Sequence, residues 1–304
     1  MMQKSKPNHR PFVSVVILNY NGMRFVEHCL DSVLRDSYHP KEILFVDNAS
    51  SDGSAELAYA YQDRITIVRN RENYGFPKGC NLGIRVARGE IIVLLNIDTE
   101  VCEGWLTELI EPLQRDPRTG MAGSKLLFPG GDRIQFAGGV MAPNGLTQHI
   151  GYGLPDGEAF NAPKEVEYLT GASLAVRRTL LDRLGRLDEG FPLYFEDLDF
   201  SIRMKQAGYA VLYQPSSVVY HFETYGTKKQ SFAYYYKYHR GRIRCILKNF
   251  GLRYFLAVFL PYELGWLRRC DWRKQIKPLL AAYAGQFPKA PYFWMRGYIR
   301  RRMK

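Results

Sequence analysis

Three clusters of amide and carboxylate side chains each stand directly after an apolar run: Asn19-Tyr20-Asn21-Gly22, Asp47-Asn48 and Asn96-Ile97-Asp98. A carboxylate placed like Asp98 can hold a hard divalent cation against a diphosphate and leave coordination places for water and substrate. An acid after a strand is also a common turn or helix cap, so one cluster alone means little; three on one rim favour a ligand site. A second acidic group, Glu196-Asp197-Leu198-Asp199, opens a helical pattern. Negative charge is favoured at a helix start, and Asp199 has Arg203 as a partner four residues on, so a structural role accounts for Asp199. Asp197 could cap the same helix. No G-x-G-x-x-G, G-x-x-x-x-G-K-[ST] or G-x-S-x-G is present, which disfavours dinucleotide, P-loop and hydrolase-elbow chemistry.

The polar clusters need elements that carry them to one place. The runs 12–18, 43–46, 65–68 and 91–95 are short, continuously apolar and rich in β-branched residues, and helical patterns separate them. That alternation predicts a parallel sheet covered on both faces, an α/β fold whose ligands bind beyond the carboxyl ends of the strands. Residues 128–165 are Gly- and Pro-rich and read as loops with short strands. Tyr168–Ser173 leads into the apolar Leu174-Ala175-Val176, and a helix is expected from near Asp197 to about Gln206, with Gly208 as its C-cap.

The chain has 304 residues, 46% hydrophobic and 24% charged, which excludes a disordered or collagenous chain. Five scattered cysteines without C-x-x-C form neither a disulfide framework nor a zinc knuckle, and are read as reduced thiols. The polar, basic N-terminus lacks the apolar core of a secretory signal. Net charge is +12, and its location is informative. Residues 1–226 carry 23 Lys and Arg against 28 Asp and Glu, whereas residues 227–304 carry 19 against only Glu263 and Asp271. Two units are expected: a body, 1–226, and a cationic, aromatic-rich helical region, 227–304.

Seven motifs in order, VSVVILNYNG (13–22), EILFVDNASSDGS (42–54), NYGFPKGCNLGI (73–84), GEIIVLLNIDT (89–99), LTGASLAVRR (169–178), LDEGFPLYFEDLDFSIRMKQAGY (187–209) and VVYHFETYG (218–226), carry a resemblance. Over about residues 12–250 the chain resembles family 2 glycosyltransferases of the GT-A fold, and is most similar to the bacterial rhamnosyltransferase-like branch. The resemblance implies a Rossmann-like, mixed but mainly parallel sheet, and inverting transfer of a sugar from a nucleotide-diphosphate donor. It assigns Asn19, Asp47 and Asn48 to the base and ribose, with Asn21 and Asn96 beside the nucleotide. Asn73, Gly75 and Asn81 would belong to the loop and helix closing over it. Asp98 would ligate the metal, His221 would reach the metal or diphosphate, and Asp197 would be the catalytic base. Glu196, Gly171 and Ala172 would position acceptor or donor; a tight strand entry also explains the latter two. His221 could instead be a satisfied core histidine, and Trp105 and Tyr194 could be core aromatics or line the acceptor groove.

These roles make chemical sense together. Inverting transfer needs a base opposite the departing diphosphate, and an oxygen-rich site suits Mg²⁺ or Mn²⁺, with an imidazole favouring Mn²⁺. There are departures: Asn96-Ile97-Asp98 offers one carboxylate where relatives often have two or three, and Gly241 follows Arg240 where relatives often carry Arg-Asn. A dTDP- or UDP-sugar donor and a saccharide acceptor, lipid-linked through polyprenyl diphosphate, are the expected partners. A UDP-hexose enzyme and a non-catalytic nucleotide-binding scaffold are the alternatives. In the cationic region the apolar run 254–262 is too short to cross a bilayer as one helix. Its basic and aromatic residues fit an anionic membrane surface, a helical extension packed on the body or, least well supported, a nucleic-acid arm. The expected location is cytoplasmic, peripheral at the inner face of the cell membrane.

Overall fold

The computed structural model describes residues 10–191, 193–222 and 230–302. Strands β1 (Val13–Asn19), β2 (Lys41–Asp47) and β4 (Ile91–Asn96), largely apolar and buried, and the more exposed edge strand β3 (Thr66–Arg69) run parallel in the order β4-β1-β2-β3. Helices α1 (Val26–Arg35), α2 (Ser54–Ala58) and α3 (Phe76–Val86) connect them. Close helix–sheet approach is written into α3 by small residues. A Cβ on Gly79 would come within 2.6 Å of the Leu18 side chain, so only glycine lets α3 lie on β1 and bring its N-terminus to the strand ends.

Beyond β4 the chain forms β5 (Thr99–Val101), α4 (Trp105–Arg115), β6 (Thr119–Leu127), β7 (Ile134–Phe136), the hairpin β8 (Gly139–Met141) with β9 (Thr147–His149), and β10 (Lys164–Glu165). Then come β11 (Ser173–Arg177), α5 (Arg178–Leu184), α6 (Glu196–Gln206) and β12 (Ala210–His221). The main sheet has the order β10-β12-β6-β11-β4-β1-β2-β3. It is mixed, because β11 runs antiparallel to both β4 and β6. Trp105 is fully buried against this half, and its indole N–H donates to Ser124 Oγ at 3.1 Å and Ser173 Oγ at 3.0 Å. It is a core aromatic.

The cationic region is helical: α7 (Phe232–Asn249), α8 (Leu252–Tyr254), a π-helical turn Phe255–Phe259 that runs on into α9 (Leu260–Leu267), α10 (Trp272–Gln286) and α11 (Ala290–Arg302). One face of α7 joins the main core through Cys245; the other, through Ile243 and Leu247, forms a second core with Leu279, Ala282, Ala290 and Phe293. Arg242 is fully buried and makes two 2.6 Å hydrogen bonds to the Glu263 carboxylate, which also accepts from Asn144 of the hairpin at 2.8 Å. Lys248 binds Asp188 at 2.8 Å and Asp199 at 2.7 Å. Part of the cationic surplus thus neutralises buried acids. Among the described residues no helix is long and apolar enough to cross a membrane. The boundary expected at 226/227 lies outside the described residues.

Candidate active site

A cleft of about 630 Å³ opens at the carboxyl ends of β1 and β4 and is closed on its far side by α6, the β8–β9 hairpin and α7. The nucleotide-side residues divide into those on its wall and those behind it. Asn48, Asn73, Gly75, Asn96 and Asp98 line it. Asn19 and Asp47 are fully buried: Asn19 Nδ2 donates to Asp47 Oδ1 at 3.0 Å and to Ser54 Oγ at 2.8 Å, fixing the ends of β1 and β2 to the turn before α2. Asn21 adopts φ 52° and belongs to the same turn network, its N–H donating to Ser50 Oγ and its Oδ1 accepting from Ser51 N. The Asn48 amide donates to Asn73 Oδ1 at 2.8 Å and Gly75 O at 3.3 Å, and accepts from Asn70 Nδ2 and Tyr74 N. Its hydrogen bonds shape the 70–75 loop. Asn81 points away from the cleft, to Leu187 O and Glu189 Oε1, both at 2.9 Å. Its amide holds the 187–189 segment, because the helix face carrying Gly79 and Gly83 is turned to the sheet.

Asp98 and His221 meet at the end of β4 and β12, Nε2 to Oδ1 at 3.3 Å. Gln135 Nε2 donates to the His221 carbonyl at 3.1 Å, which turns Gln135 Oε1 toward His221 Nδ1 at 2.6 Å. Nδ1 is therefore the N–H donor, and in the neutral ring the Nε2 lone pair faces the carboxylate. Two acceptors so placed fit a shared cation. Asp98 and His221 would supply two ligands; among the described residues no cluster of three His, Cys, Asp or Glu side chains could hold a metal ion. The remaining coordination would fall to a diphosphate and water.

Glu196 and Asp197 open α6 across the cleft. Asp197 Oδ1 accepts from Leu198 N at 2.7 Å and Oδ2 from Gly171 N at 3.2 Å. Burial raises the Asp197 carboxyl above its ordinary range, and these two N–H groups work against the rise. Glu196 is pushed up much further, by burial and then by the Asp197 charge; its Oε2 is buried without a hydrogen-bond partner. Burial and the neighbouring charge thus disfavour the charged form of Glu196 more than that of Asp197, two adjacent carboxyls driven apart by their surroundings. Asp199 is fully buried among Arg203, Lys248 and Asn249, the structural role expected for it.

The turn before this pair is strained. Tyr194 and Phe195 take φ 66° and 73°, the left-handed region that side chains rarely occupy. α7 holds them there: the Phe195 ring packs on Tyr238 at 5.0 Å, Tyr194 on Tyr234 at 5.9 Å, and Gly241 leaves room for both. Glycine at 241 is thus required by close approach to the Tyr194-Phe195 turn. Tyr194 lines the cleft, as do Gly171 and Ala172. Sequence reasoning missed Tyr20 and Phe76 on the nucleotide side, and His149, Tyr234, Lys237 and Tyr238 on the other. The spacing of 234, 237 and 238 on one helix face was the available signal.

A mixed, mainly parallel sheet with helices on both faces, a carboxylate directly after β4 and an acidic helix start across the cleft define the GT-A class of fold. The chain belongs to glycosyl transferase family 2, whose sequence model matches residues 14–185. It is 29% identical over 224 residues to the O-antigen biosynthesis protein RfbC of Myxococcus xanthus, covering 70% of this chain and 17% of that one. It is 25% identical over 249 residues to the N-acetylglucosaminyl-diphospho-decaprenol L-rhamnosyltransferase of Mycobacterium tuberculosis, covering 74% and 81%. A mannosyltransferase of Pyrobaculum calidifontis, solved with GDP-Man and Mn²⁺, shares the fold at TM-score 0.59 and 20% identity over 96% of this chain and 81% of that one. The chain spans 17% to 39% of the length of several relatives it matches.

Proposed function

We propose that the protein transfers a sugar, with inversion, from a nucleotide-diphosphate donor to a hydroxyl of a saccharide acceptor in cell-surface polysaccharide synthesis. The observation that carries this reading is that Asp98, its neighbour His221 and Asp197 line one cleft. The wall formed by Asn48, Asn73, Gly75 and Asn96 receives the nucleotide. Asp98 and His221 would hold Mn²⁺ or Mg²⁺, which when bound neutralises the departing diphosphate. Asp197 Oδ2 accepts the proton of the acceptor hydroxyl as its oxygen bonds to the anomeric carbon; the bond from that carbon to the diphosphate oxygen breaks, and the nucleoside diphosphate leaves. Gly171 N–H orients the carboxylate. Burial and the Asp197 charge disfavour ionisation of Glu196 beside it, which limits negative charge in the site. The aromatic wall of Tyr194, Tyr234 and Tyr238 receives the acceptor.

The likeness to the mycobacterial enzyme supports a deoxyhexose such as rhamnose as donor sugar and a polyprenyl-diphosphate-linked acceptor. Such an acceptor places the enzyme at the cytoplasmic face of a membrane. Residues 1–226 are the transferase unit, and the helical region 227–304 closes its acceptor side with α7.

Calorimetric titration with dTDP, UDP and GDP, each with and without Mn²⁺, tests the reading. Metal-dependent binding of one nucleotide is expected, and Asp197→Asn should keep that binding while losing about 10²–10⁴-fold in transfer rate. Because Asp197 ionises above the usual carboxylate range, the acid limb of the pH–rate profile should lie above about pH 4. No binding of any nucleotide, or full activity of Asp197→Asn, overturns the proposal.

A further inference from the structure

The run Leu252–Leu267, formed by α8, the π-helical turn and α9, breaks the usual rule for a surface helix. Its inward face is aromatic and acidic: Phe255 stacks on Phe259 at 4.9 Å and lies 5.7 Å from Trp294, while Glu263 closes on Arg242. Its outward face should be polar, yet Leu252, Leu256, Tyr262 and Leu264 are 48%, 54%, 58% and 57% exposed. Arg253 is the one charged residue of this run that is exposed. The neighbouring surface continues the pattern with Trp272, Leu280, Tyr292 and Met295, all about half exposed.

The charge on this surface is one-sided. Between residues 251 and 296 the exposed charged residues are Arg253, Arg268, Arg269, Arg273, Lys274, Lys277, Lys289 and Arg296 against the single acid Asp271. Arg242, Arg244 and Lys248, in contrast, are spent inward on Glu263, Asp188 and Asp199. Sorting the cations in this way leaves an outward set interleaved with large apolar side chains.

We infer that the outward face of Leu252–Leu267, with the cations of α10 and α11 around it, docks on an anionic lipid bilayer without spanning it. Charge complementarity selects a polyanionic partner, and the leucines choose among polyanions. Nucleic acid offers phosphates and flat base faces but no medium for three exposed aliphatic side chains, whereas the headgroup–acyl boundary offers both anions and an apolar phase. Tyr262 and Trp272 are of the type that sits at such a boundary, with an apolar ring and a polar tip. This deepens the peripheral membrane placement proposed above, and it is tested without turnover, so failure of one leaves the other standing.

The test is co-sedimentation of the full chain with vesicles of phosphatidylcholine alone, and of equimolar phosphatidylcholine and phosphatidylglycerol. Capture by the anionic vesicles should be at least about 10-fold tighter and should weaken with added salt. The Leu256→Asp/Leu264→Asp variant should lose at least about 10-fold of that capture. Its melting temperature and nucleotide binding should not change, since both leucines face outward. Arg268→Gln/Arg269→Gln should lower capture and flatten the salt dependence, and it stands in should the leucine variant fail to fold. Equal capture of wild type and both variants overturns the proposal. So does equal capture by neutral vesicles, self-association of the chain that the leucine variant abolishes, or duplex DNA binding that outcompetes the vesicles.

Discussion

The turn Tyr194-Phe195 sets the position of Asp197, and α7 sets the turn; Gly241→Ala separates these roles from simple stability. A methyl group there would come within 2.9 Å of Phe195 Cδ2, 3.0 Å of the Tyr194 carbonyl oxygen and 3.2 Å of Phe195 Cβ. None of these is the loose end of a flexible side chain, since Phe195 is buried against Tyr238. Overpacking of this kind costs about 1–3 kcal/mol, and alanine returns about 1 kcal/mol over glycine within a helix, so the net loss is about 0–2 kcal/mol. The protein folds. The turn, however, holds two residues at positive φ, each worth about 1–3 kcal/mol of strain, and a push from α7 gives it a downhill way to relax. Asp197 moves with it. A misplacement of about 1 Å costs about 10²-fold in rate.

Steady-state kinetics with nucleotide titration read the outcome. In Gly241→Ala, kcat should fall about 10²-fold. The nucleotide Kd should stay within about twofold, because the atoms nearest a Cβ at 241 belong to Tyr194 and Phe195 and not to Asn48, Asn73 or Asp98. Gly265→Ala on α9 is the control: a Cβ there meets nothing within 4 Å, so activity should persist and stability rise by up to about 1 kcal/mol. Unchanged kcat in folded Gly241→Ala refutes the reasoning. Nucleotide binding that weakens in step with kcat refutes it as well, since that would mean general loosening.

Two further predictions concern the buried charges. Burial alone would raise the carboxyls of Asp188 and Asp199, but Lys248 with Arg244 and Arg203 holds both below the ordinary range, so their stabilisation is present at neutral pH and lost as pH falls through their folded values. Lys248→Met should therefore cost about 2–4 kcal/mol at pH 7 by denaturant unfolding, with the difference from wild type shrinking toward zero in acid. Glu263→Gln strips the fully buried Arg242 of its carboxylate and should cost about 3–5 kcal/mol, seen as a fall of about 10 °C in Tm. Arg242→Met/Glu263→Met should recover much of that loss, because it leaves no unpaired charge.

The parallel half of the fold was legible because β1, β2 and β4 are buried on both faces over most of their length and read as apolar runs, each announcing its end with a polar residue; β3, at the sheet edge, is shorter and more exposed. The other half hides its strands in buried polar side chains. Ser124 of β6, Ser173 of β11 and Ser217 of β12 meet in the core, Ser124 Oγ lying 2.7 Å and 2.8 Å from the other two hydroxyls. Lys125 of β6 is buried against Asp156 and Asn161. In β12 the stretch Pro215-Ser216-Ser217 has the composition of a loop, and the pairing with β6 shifts register there. Satisfied buried polar groups erase the apolar signature that periodicity relies on. At the site, Asp98 and Asp197 stood out as charges at element ends, and Asn48 and Asn73 as amides in loops. Asn81 misled because an amide on a helix near the cleft serves equally well to tie down a neighbouring segment.

The aromatic wall was hidden for a different reason. Tyr234 and Tyr238 lie in a segment whose net charge draws attention to its cations, yet charge composition and packing change at different places along this chain. Composition switches near residue 227, whereas packing switches between two faces of one helix, α7. Cys245 faces the main core, Ile243 and Leu247 the second, and Gly241 and Arg242, adjacent in sequence, serve one face each. Gly241 admits the strained turn that carries Asp197, while Arg242 ties α9 and the hairpin bearing Thr147 and His149 into one buried network. A helix that buries both faces cannot be removed with the tail and leave the cleft intact. Arg242, Arg244 and Lys248 of α7 pair inward with acids, and the exposed cations of α8 through α11 are the ones that face outward to meet an anionic surface.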